Sequence, residues 1–178
     1  SRKIAKLIRE TAPQAEFDVV SNPEFLREGS AITDFMRPDR VVIGSDSPRA
    51  IEAMRQIYRP LYLLETPIVV TSLESSELTK YAANAFLATK ITFINQIADL
   101  AERVGADVQD IARGIGLDGR IGRKFLHAGP GFGGSCLPKD LRALLNTADE
   151  AEVELSVIGA VAAANESRKA EMATGILR

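Results

Sequence analysis

Apolar positions in the first seventy residues alternate between helical and strand spacing. They recur at helical intervals in residues 4–12, whereas short runs rich in β-branched residues at 17–20, 40–44 and 68–71 predict three strands. Because helical patterns separate these strands, we expect a parallel sheet that is covered on both faces.

Two serines mark helix starts between the predicted strands. Ser30 can cap a short helix that continues through Phe35, and Ser47 precedes Pro48, which suits an N-cap followed by proline at the first helical position. Three strands are few for an open doubly wound sheet, which usually has about five or six. We therefore expect that residue 1 is not the natural start of the protein.

Beyond Thr71 every pattern is helical. Thr71 and Glu74 fit a capping box, and an apolar stripe follows without Gly or Pro until Gly105. A helix of about thirty residues is long against the usual ~11–12. Its length and small residues predict a homodimer. The stripe comprises Leu78, Ala82, Ala85, Phe86 and Phe93.

Three further helices are predicted after this long one. Asp107 can cap a short helix that ends near Gly116, a glycine-rich loop covers 119–135, and Pro138 opens the next helix. A last long helix is predicted over residues 152–177.

Composition adds information on charge and redox state. The chain has 178 residues with a formal charge of −2, which argues against a surface for nucleic acid polymers. Its one cysteine excludes an internal disulfide, and no apolar run approaches the ~20 residues of a membrane span, so we expect a cytoplasmic protein without membrane contact. One histidine, without zinc-like or calcium-like ligand spacing, predicts no metal site.

The most informative stretch is residues 129–140, Gly-Pro-Gly-Phe-Gly-Gly-Ser-Cys-Leu-Pro-Lys-Asp. Its glycines satisfy the spacing of a dinucleotide fingerprint, but residues 124–127 follow a glycine-rich turn where the fingerprint needs a strand, so we interpret the match as false. Cys136 lies at the start of the helix near Pro138. Free N–H groups and the positive dipole end favour a thiolate there, and Lys139 adds a cation. A nucleophile is favoured over a structural cysteine, because a core cysteine needs no surrounding glycines.

Polar side chains one helical turn apart could assist this thiol. Asp140 follows Cys136 by four residues, so its carboxylate can hold a water or accept a proton. An ordinary first-turn acid is the alternative. Lys80 and Asn84 are also four residues apart, and an ammonium and an amide on one face can stabilise an oxyanion. For this pair the alternative is a solvated helix edge.

Acidic residues also follow the first predicted strand. Glu24 and Glu28 lie in segment 22–29, after the strand that ends at Val20, and open α/β sheets bind ligands at the carboxyl ends of parallel strands. One could act as a base and the other as a cofactor contact, or both could be solvated loop acids.

Three blocks, in this order, resemble the UDP-glucose/GDP-mannose dehydrogenase family. They are SNPEFLREG at 21–29, SSELTKYAANAF at 75–86 and RIGRKFLHAGPGFGGSCLPKD at 120–140. The resemblance implies an α/β part of a Rossmann-like domain followed by an all-α central dimerisation domain with long helices. Residues 1–71 would be the C-terminal part of the NAD-binding domain, and residues 72–178 the central domain. The family's glycine-rich NAD fingerprint and its last domain are absent from this sequence.

The activity implied by this resemblance is an NAD-dependent four-electron oxidation of a nucleotide sugar. The block forms resemble the UDP-glucose branch, which makes UDP-glucuronate, more than the GDP-mannose or UDP-N-acetylmannosamine branches. Cys136 would capture an aldehyde and form a thioester, and the division of roles between Lys80, Asp140 and water stays open. A catalytically silent helical oligomerisation fragment is the non-enzymatic alternative.

The family also implies residue roles at matching positions. The catalytic set would be Cys136, Lys80, Asn84, Asp140 and Glu24. Glu28 and Lys139 would lie near the nicotinamide, and Arg120 would reach a neighbouring subunit's site. The remaining substrate contacts would be Phe25, Leu26, Arg27, Phe125, Leu126, His127, Ala128, Gly129, Phe132 and Gly133.

Overall fold

A computed structural model describes residues 1–176, and it describes the side chains of all of these except 62–64 and 175–176. The chain divides into two compact units, Ser1–Lys80 and Tyr81–Arg178, which are described separately. The domain boundary expected after residue 71 stays a prediction.

The first unit is built around a small parallel sheet. Strands β1 and β2 pair in parallel, with Val41 opposite Ile68 and Gly44 opposite Thr71. All four residues of β1 are buried, so this strand forms the centre of the unit. The elements in chain order are α1 (Arg2–Thr11), α2 (Ala31–Met36), β1 (Val41–Gly44), α3 (Pro48–Tyr58), a 3-10 helix (Arg59–Leu64), β2 (Ile68–Thr71) and the start of α4 (Leu73–Val104).

The strand expected at residues 17–20 is wrong. Instead, Ser21 forms a single antiparallel bridge with Gly44, in which each backbone N–H donates to the other residue's carbonyl oxygen at 2.8 Å. Pro23 follows two residues later and has no N–H to continue a ladder. Coverage of both sheet faces is also wrong for β2, because Val69 and Val70 remain 48% and 38% exposed.

Helix starts in this unit agree with the sequence at two of three positions. Ser47 Oγ accepts the Ala50 N–H at 3.3 Å, as predicted. Ser30 does precede α2, but its hydroxyl donates to Asp34. The capping box at Thr71 is wrong, because Thr71 still belongs to β2. The cap is one residue later, where Ser72 Oγ accepts the Ser75 N–H at 3.1 Å.

The second unit is helical. It contains the rest of α4, α5 (Val108–Gly116), α6 (Cys136–Glu150) and α7 (Ser156–Ile176). As predicted, α4 runs to Val104 without a break, and Gly105 ends it with a left-handed φ of 75°. Asp107 caps α5 by accepting the Gln109 N–H at 2.7 Å.

The last helix begins later than predicted. Residues 152–155 are not helical, because Glu152 adopts a left-handed φ of 57° and the Val153 N–H donates back to the Ala148 carbonyl. This arrangement closes α6, so α7 starts at Ser156. The predicted end at Leu177 lies outside the described residues.

Small residues of α4 pack inside their own unit. Ala85 and Ala88 join Phe132, Leu141, Leu144 and Val161 in the core, so they are not the exposed contact surface that the sequence suggested. The opposite side of α4 carries large apolar side chains instead. Phe86, Phe93, Leu100 and Val104 are 65%, 49%, 57% and 67% exposed. None of the helices in residues 1–176 is long and apolar enough to cross a membrane.

Candidate active site

Cys136 is the first residue of α6 and is exposed. The helix begins two residues before Pro138, so the thiol lies in the first turn, as predicted. Its sulfur is 3.7 Å from the Ser135 hydroxyl oxygen. The unpaired N–H groups of a first helical turn favour negative charge at this position.

One helical turn further on, Asp140 is buried, with 2% of its surface exposed. Its Oδ2 accepts a hydrogen bond from Asn84 Nδ2 at 2.7 Å, and its Oδ1 lies 3.4 Å from Lys139 Nζ. A buried carboxylate needs such partners, because leaving water is costly. Asp140 is therefore not a solvated first-turn acid, and α4 and α6 meet at this hydrogen bond.

Lys80 and Glu24 form an ion pair in the first unit. The second Glu24 oxygen accepts the Leu26 N–H at 2.8 Å, so this carboxylate also shapes its own loop. The Lys80 side chain is only 23% exposed, which argues against a solvated helix edge. Lys80 and Asn84 each face a carboxylate, Glu24 for the lysine and Asp140 for the amide.

The loop that carries Glu24 is held by its own ion pair. The Arg27 side chain and backbone N–H donate to Asp34 at 2.5–3.0 Å. The Arg27 guanidinium, helped by its backbone N–H and the Ser30 hydroxyl, holds the pKa of Asp34 well below its usual range. Phe25 lies under Arg40, whose guanidinium carbon is 3.8 Å from the ring centroid. Arg27 thus has its partner in α2 and Phe25 just before β1, whereas the side chains of Leu26 and Glu28 are exposed.

The glycine-rich loop turns two of its predicted substrate contacts inward. Leu126 and Phe132 are 3% and 6% exposed, and Phe132 belongs to the apolar core. Both side chains are therefore buried inside this unit, and their contact with substrate stays a prediction. His127 and Gly133 are exposed, and Ala128 and Gly129 are half-buried.

Two further residues of this loop have notable conformations. Phe125 is half-buried and has a left-handed φ of 65°, which is uncommon for an aromatic residue. Arg120 is paired with Asp118 at 2.6 Å while its side chain is 90% exposed.

Sequence reasoning missed three polar residues that hold the glycine-rich loop. Asn165 Nδ2 donates to the Phe132 carbonyl and Asn165 Oδ1 accepts the Phe132 N–H, at 3.0 and 2.8 Å. Asn95 Oδ1 accepts the Gly129 N–H at 2.8 Å, and Arg168 Nε donates to the Gly129 carbonyl at 2.5 Å. The signal in the sequence that could have identified these residues is a polar side chain at a core-facing position of a long helix.

Glu28 and Lys139, the residues expected near a nicotinamide, are both exposed. An exposed carboxylate such as Glu28 can accept the N–H of a carboxamide, so the chemistry of this acceptor fits that end of NAD. Within residues 1–176 no group of three His, Cys, Asp or Glu side chains is placed to hold a metal ion.

Comparison with known families assigns both parts of the chain. Residues 74–167 match the central domain of the UDP-glucose/GDP-mannose dehydrogenase family, and residues 1–62 match the NAD binding domain of the same family. The chain belongs to the UDP-glucose/GDP-mannose dehydrogenase family. NAD is the cofactor that this assignment indicates.

Two curated relatives illustrate how much of a family member this chain covers. UDP-glucose 6-dehydrogenase of Rhizobium meliloti is 59% identical over 177 residues, which cover 98% of this chain and 40% of that protein. UDP-glucose 6-dehydrogenase TuaD of Bacillus subtilis is 56% identical over 161 residues, 90% of this chain and 34% of that protein. This chain thus spans at most about two fifths of these relatives' length.

A solved structure shows the same fold. The UDP-glucose dehydrogenase of the archaeon Pyrobaculum islandicum superimposes with a TM-score of 0.88 at 43% identity, over 92% of this chain and 37% of that one. The similarity supports a partial Rossmann-like domain followed by a helical domain.

Proposed function

We propose that this protein oxidises UDP-glucose to UDP-glucuronate in an NAD-dependent four-electron reaction. The observation that carries the proposal is Cys136, exposed on the first turn of α6 with the buried Asp140 one turn further on. The high identity to UDP-glucose 6-dehydrogenases supports this substrate.

The first half of the reaction converts the C6 alcohol into an aldehyde. Two NAD molecules, bound one after the other, would each accept one of the two hydrides that leave C6. As the first hydride leaves, the C6 hydroxyl proton passes to a water held by Asp140. Lys80 and Asn84 stabilise the developing oxyanion, since ammonium and amide N–H groups are suitable donors.

The second half uses the thiol of Cys136. The thiolate sulfur bonds to C6, and the aldehyde C=O becomes an oxyanion that is then protonated to a thiohemiacetal. After C6 gives up its second hydride and the hydroxyl its proton, the C=O bond is restored in a thioester. Glu24 or Asp140 activates water to attack C6. The C6–S bond then breaks, which releases the thiolate and the product carboxylate.

Several exposed groups are proposed to bind the ligands. Glu28 would accept the N–H of the nicotinamide carboxamide, with Lys139 nearby. The backbone of 125–129 and 133 would contact the sugar nucleotide, and Arg120 would reach the site of a neighbouring subunit. Phe25, Leu26 and Arg27 would line the substrate side of their loop.

We further propose a homodimer formed through α4. Phe86, Phe93, Leu100 and Val104 lie on one side of that helix at about 3.6 residues per turn, and the same side of a second copy can cover them. A reduced cysteine nucleophile suits the cytoplasm, where thiols are kept reduced.

The test uses the natural full-length protein with UDP-glucose and NAD. Wild-type protein should form two NADH for each UDP-glucuronate, and Cys136→Ser should abolish acid formation. Acid formation by Cys136→Ser at the wild-type rate would remove the thioester mechanism. GDP-mannose and UDP-N-acetylmannosamine are the comparison substrates, and preferential turnover of either would move the assignment to that branch. Absence of NADH with all three would favour the oligomerisation alternative.

A further inference from the structure

Three side chains from α4 and α7 hold the segment that precedes the candidate nucleophile. We call Asn95, Asn165 and Arg168 the loop clamp. The Asn165 amide bonds both the N–H and the carbonyl of Phe132. Asn95 and Arg168 together bond the N–H and the carbonyl of Gly129. The segment 129–132 is therefore held through its backbone at both ends.

The two asparagines of the clamp are buried, Arg168 is half-buried, and the three members support one another. Asn95 and Asn165 are 2% and 3% exposed, and the Arg168 side chain is 10% exposed. Arg168 Nη1 also donates to the Asn95 carbonyl at 3.2 Å and to Asp99 at 2.6 Å. A buried amide or guanidinium that loses its partner pays the cost of leaving water, so each contact favours one loop position.

Glycine at 131 lets the clamp close. Its φ is 115°, and a Cβ there would lie 2.8 Å from Asn165 Oδ1 and 3.2 Å from Lys169 Cγ. No side chain other than hydrogen fits without displacing Asn165.

Only three residues separate the clamped segment from Cys136. Gly133, Gly134 and Ser135 are all exposed, and Gly134 has a left-handed φ of 74°. These residues offer little side-chain packing to fix the path of the backbone. The position of Cys136 therefore depends on the clamp on one side and on the packing of α6 on the other.

We propose that Asn165 and Arg168 are positioning residues for the Cys136 thiol. This inference rests on the proposed function for its kinetic consequence. Attack on C6 requires a near-attack geometry, and a displacement of about 1 Å can cost about 100-fold in rate. Loosening the clamp should thus lower kcat far more than it raises KM for UDP-glucose.

Asn165→Asp provides the sharpest test, because its effect depends on protonation. A neutral carboxylic acid has one donor and one acceptor, as the amide has, whereas a carboxylate has only acceptors. Burial favours the neutral form of an acid, whereas the Arg168 guanidinium and the Lys169 ammonium on the same helix favour the charged form, so the neutral form is populated only toward the acidic end of the range. The variant should lose about 10- to 100-fold in kcat at about pH 8 and recover much of that loss at about pH 6, relative to wild type.

Glu166→Gln is the matched control, since Glu166 lies on the same helix and pairs with Lys169 at the surface. It should keep the wild-type kcat at both pH values. Arg168→Lys is the second variant, in which one ammonium cannot replace a guanidinium that spans three acceptors. Wild-type kcat at both pH values in folded Asn165→Asp, or in folded Arg168→Lys if the first variant does not fold, would overturn the proposal.

The rate of Cys136 alkylation by iodoacetamide, read by peptide mass, separates this proposal from the proposed function. If wild-type protein has no dehydrogenase activity, the proposed function fails, yet the alkylation rate still reports the position of the thiol. A change of about threefold or more in Asn165→Asp at about pH 8, absent from Glu166→Gln, supports the clamp. An unchanged rate contradicts it.

Discussion

Asp140 combines the position of a catalytic acid or base with the burial of a core residue. Among the residues that the structure describes, it is the one charged side chain classed as buried. Its bond to Asn84 keeps it on the side of α6 that faces α4. Its other oxygen lies 3.4 Å from Lys139 Nζ, and the residue lies one helical turn from Cys136, where a positioned acid or base can act.

Asp140→Asn should therefore abolish most activity without unfolding the protein. The amide has the same size, and its carbonyl oxygen can still accept from Asn84 Nδ2. Loss of a positioned acid or base typically costs about 100- to 10,000-fold in rate. The measurement is NADH formation alongside the thermal unfolding temperature.

Asp149→Asn removes an exposed acid from the same helix and should leave kcat unchanged. Wild-type kcat in Asp140→Asn would show that the carboxylate is only structural.

Element boundaries were predictable where a local signal decides them. Ser47 with Pro48, Asp107 and Gly105 each mark a helix end in the structure, because capping depends on neighbours within a few residues. Glu152 gave no such signal, since a non-glycine residue rarely takes the left-handed conformation that ends α6.

Contacts between distant elements were not predictable from the sequence. Asn165 meets Phe132 across 33 positions, and Arg168 meets Asp99 across 69. Periodicity identifies a core-facing position but not its partner. The same limit explains the strand expected at 17–20: its composition suits a strand, yet only Ser21 meets a backbone partner on β1. The proximity of Cys136 and Asp140 could be predicted from the sequence, because helical spacing alone brings residues four positions apart to one side of a helix.

The exposed side of α4 makes a prediction about assembly. Exposed phenylalanines on one helix are favourable only when another surface covers them. The double variant Phe86→Lys with Phe93→Lys should convert a dimer into a monomer. The new lysines of one copy would face the same lysines of the other copy across a twofold interface, and their positive charges would repel. Sedimentation velocity of the natural full-length protein at micromolar concentration measures this.

Glu102→Lys is the control. By the 3.6-residue helical repeat, Glu102 lies on the side of α4 away from Phe86, so this variant should remain a dimer. A dimer that survives both phenylalanine substitutions would place the interface elsewhere.

Across the whole molecule, paired surface acids set the response to low pH. Arg27 holds the pKa of Asp34 below its usual range, and other pairs do the same for further carboxylates. A depressed native pKa means that the charged form is stabilised by folding, so this stability is present above about pH 4 and is lost as the pH falls further. The other carboxylates with lowered pKa values include Glu74 beside Arg2, Asp118 beside Arg120, and Asp18, for which the Ser47 hydroxyl is the largest cause and Arg49 the next.

Asp34→Asn should consequently make the unfolding temperature depend less on pH in the acidic range. The difference in unfolding temperature between about pH 5 and about pH 2.5 should be smaller than in wild type, because one proton-linked group is gone. Thermal unfolding followed by circular dichroism gives both values, with Asp149→Asn as the control for removing one acid. Parallel curves for wild type and Asp34→Asn would contradict the role of this ion pair.

The central claim is that Cys136 carries the sugar as an acyl group during turnover. Rapid acid quenching of the natural full-length protein with UDP-glucose and NAD, followed by mass analysis of the Cys136 peptide, tests it most directly. We predict a peptide heavier by the UDP-glucuronyl group, removed by hydroxylamine and absent from samples without NAD. Steady NADH formation with that peptide unmodified at every quench time, under conditions that preserve a thioester standard, would contradict the account.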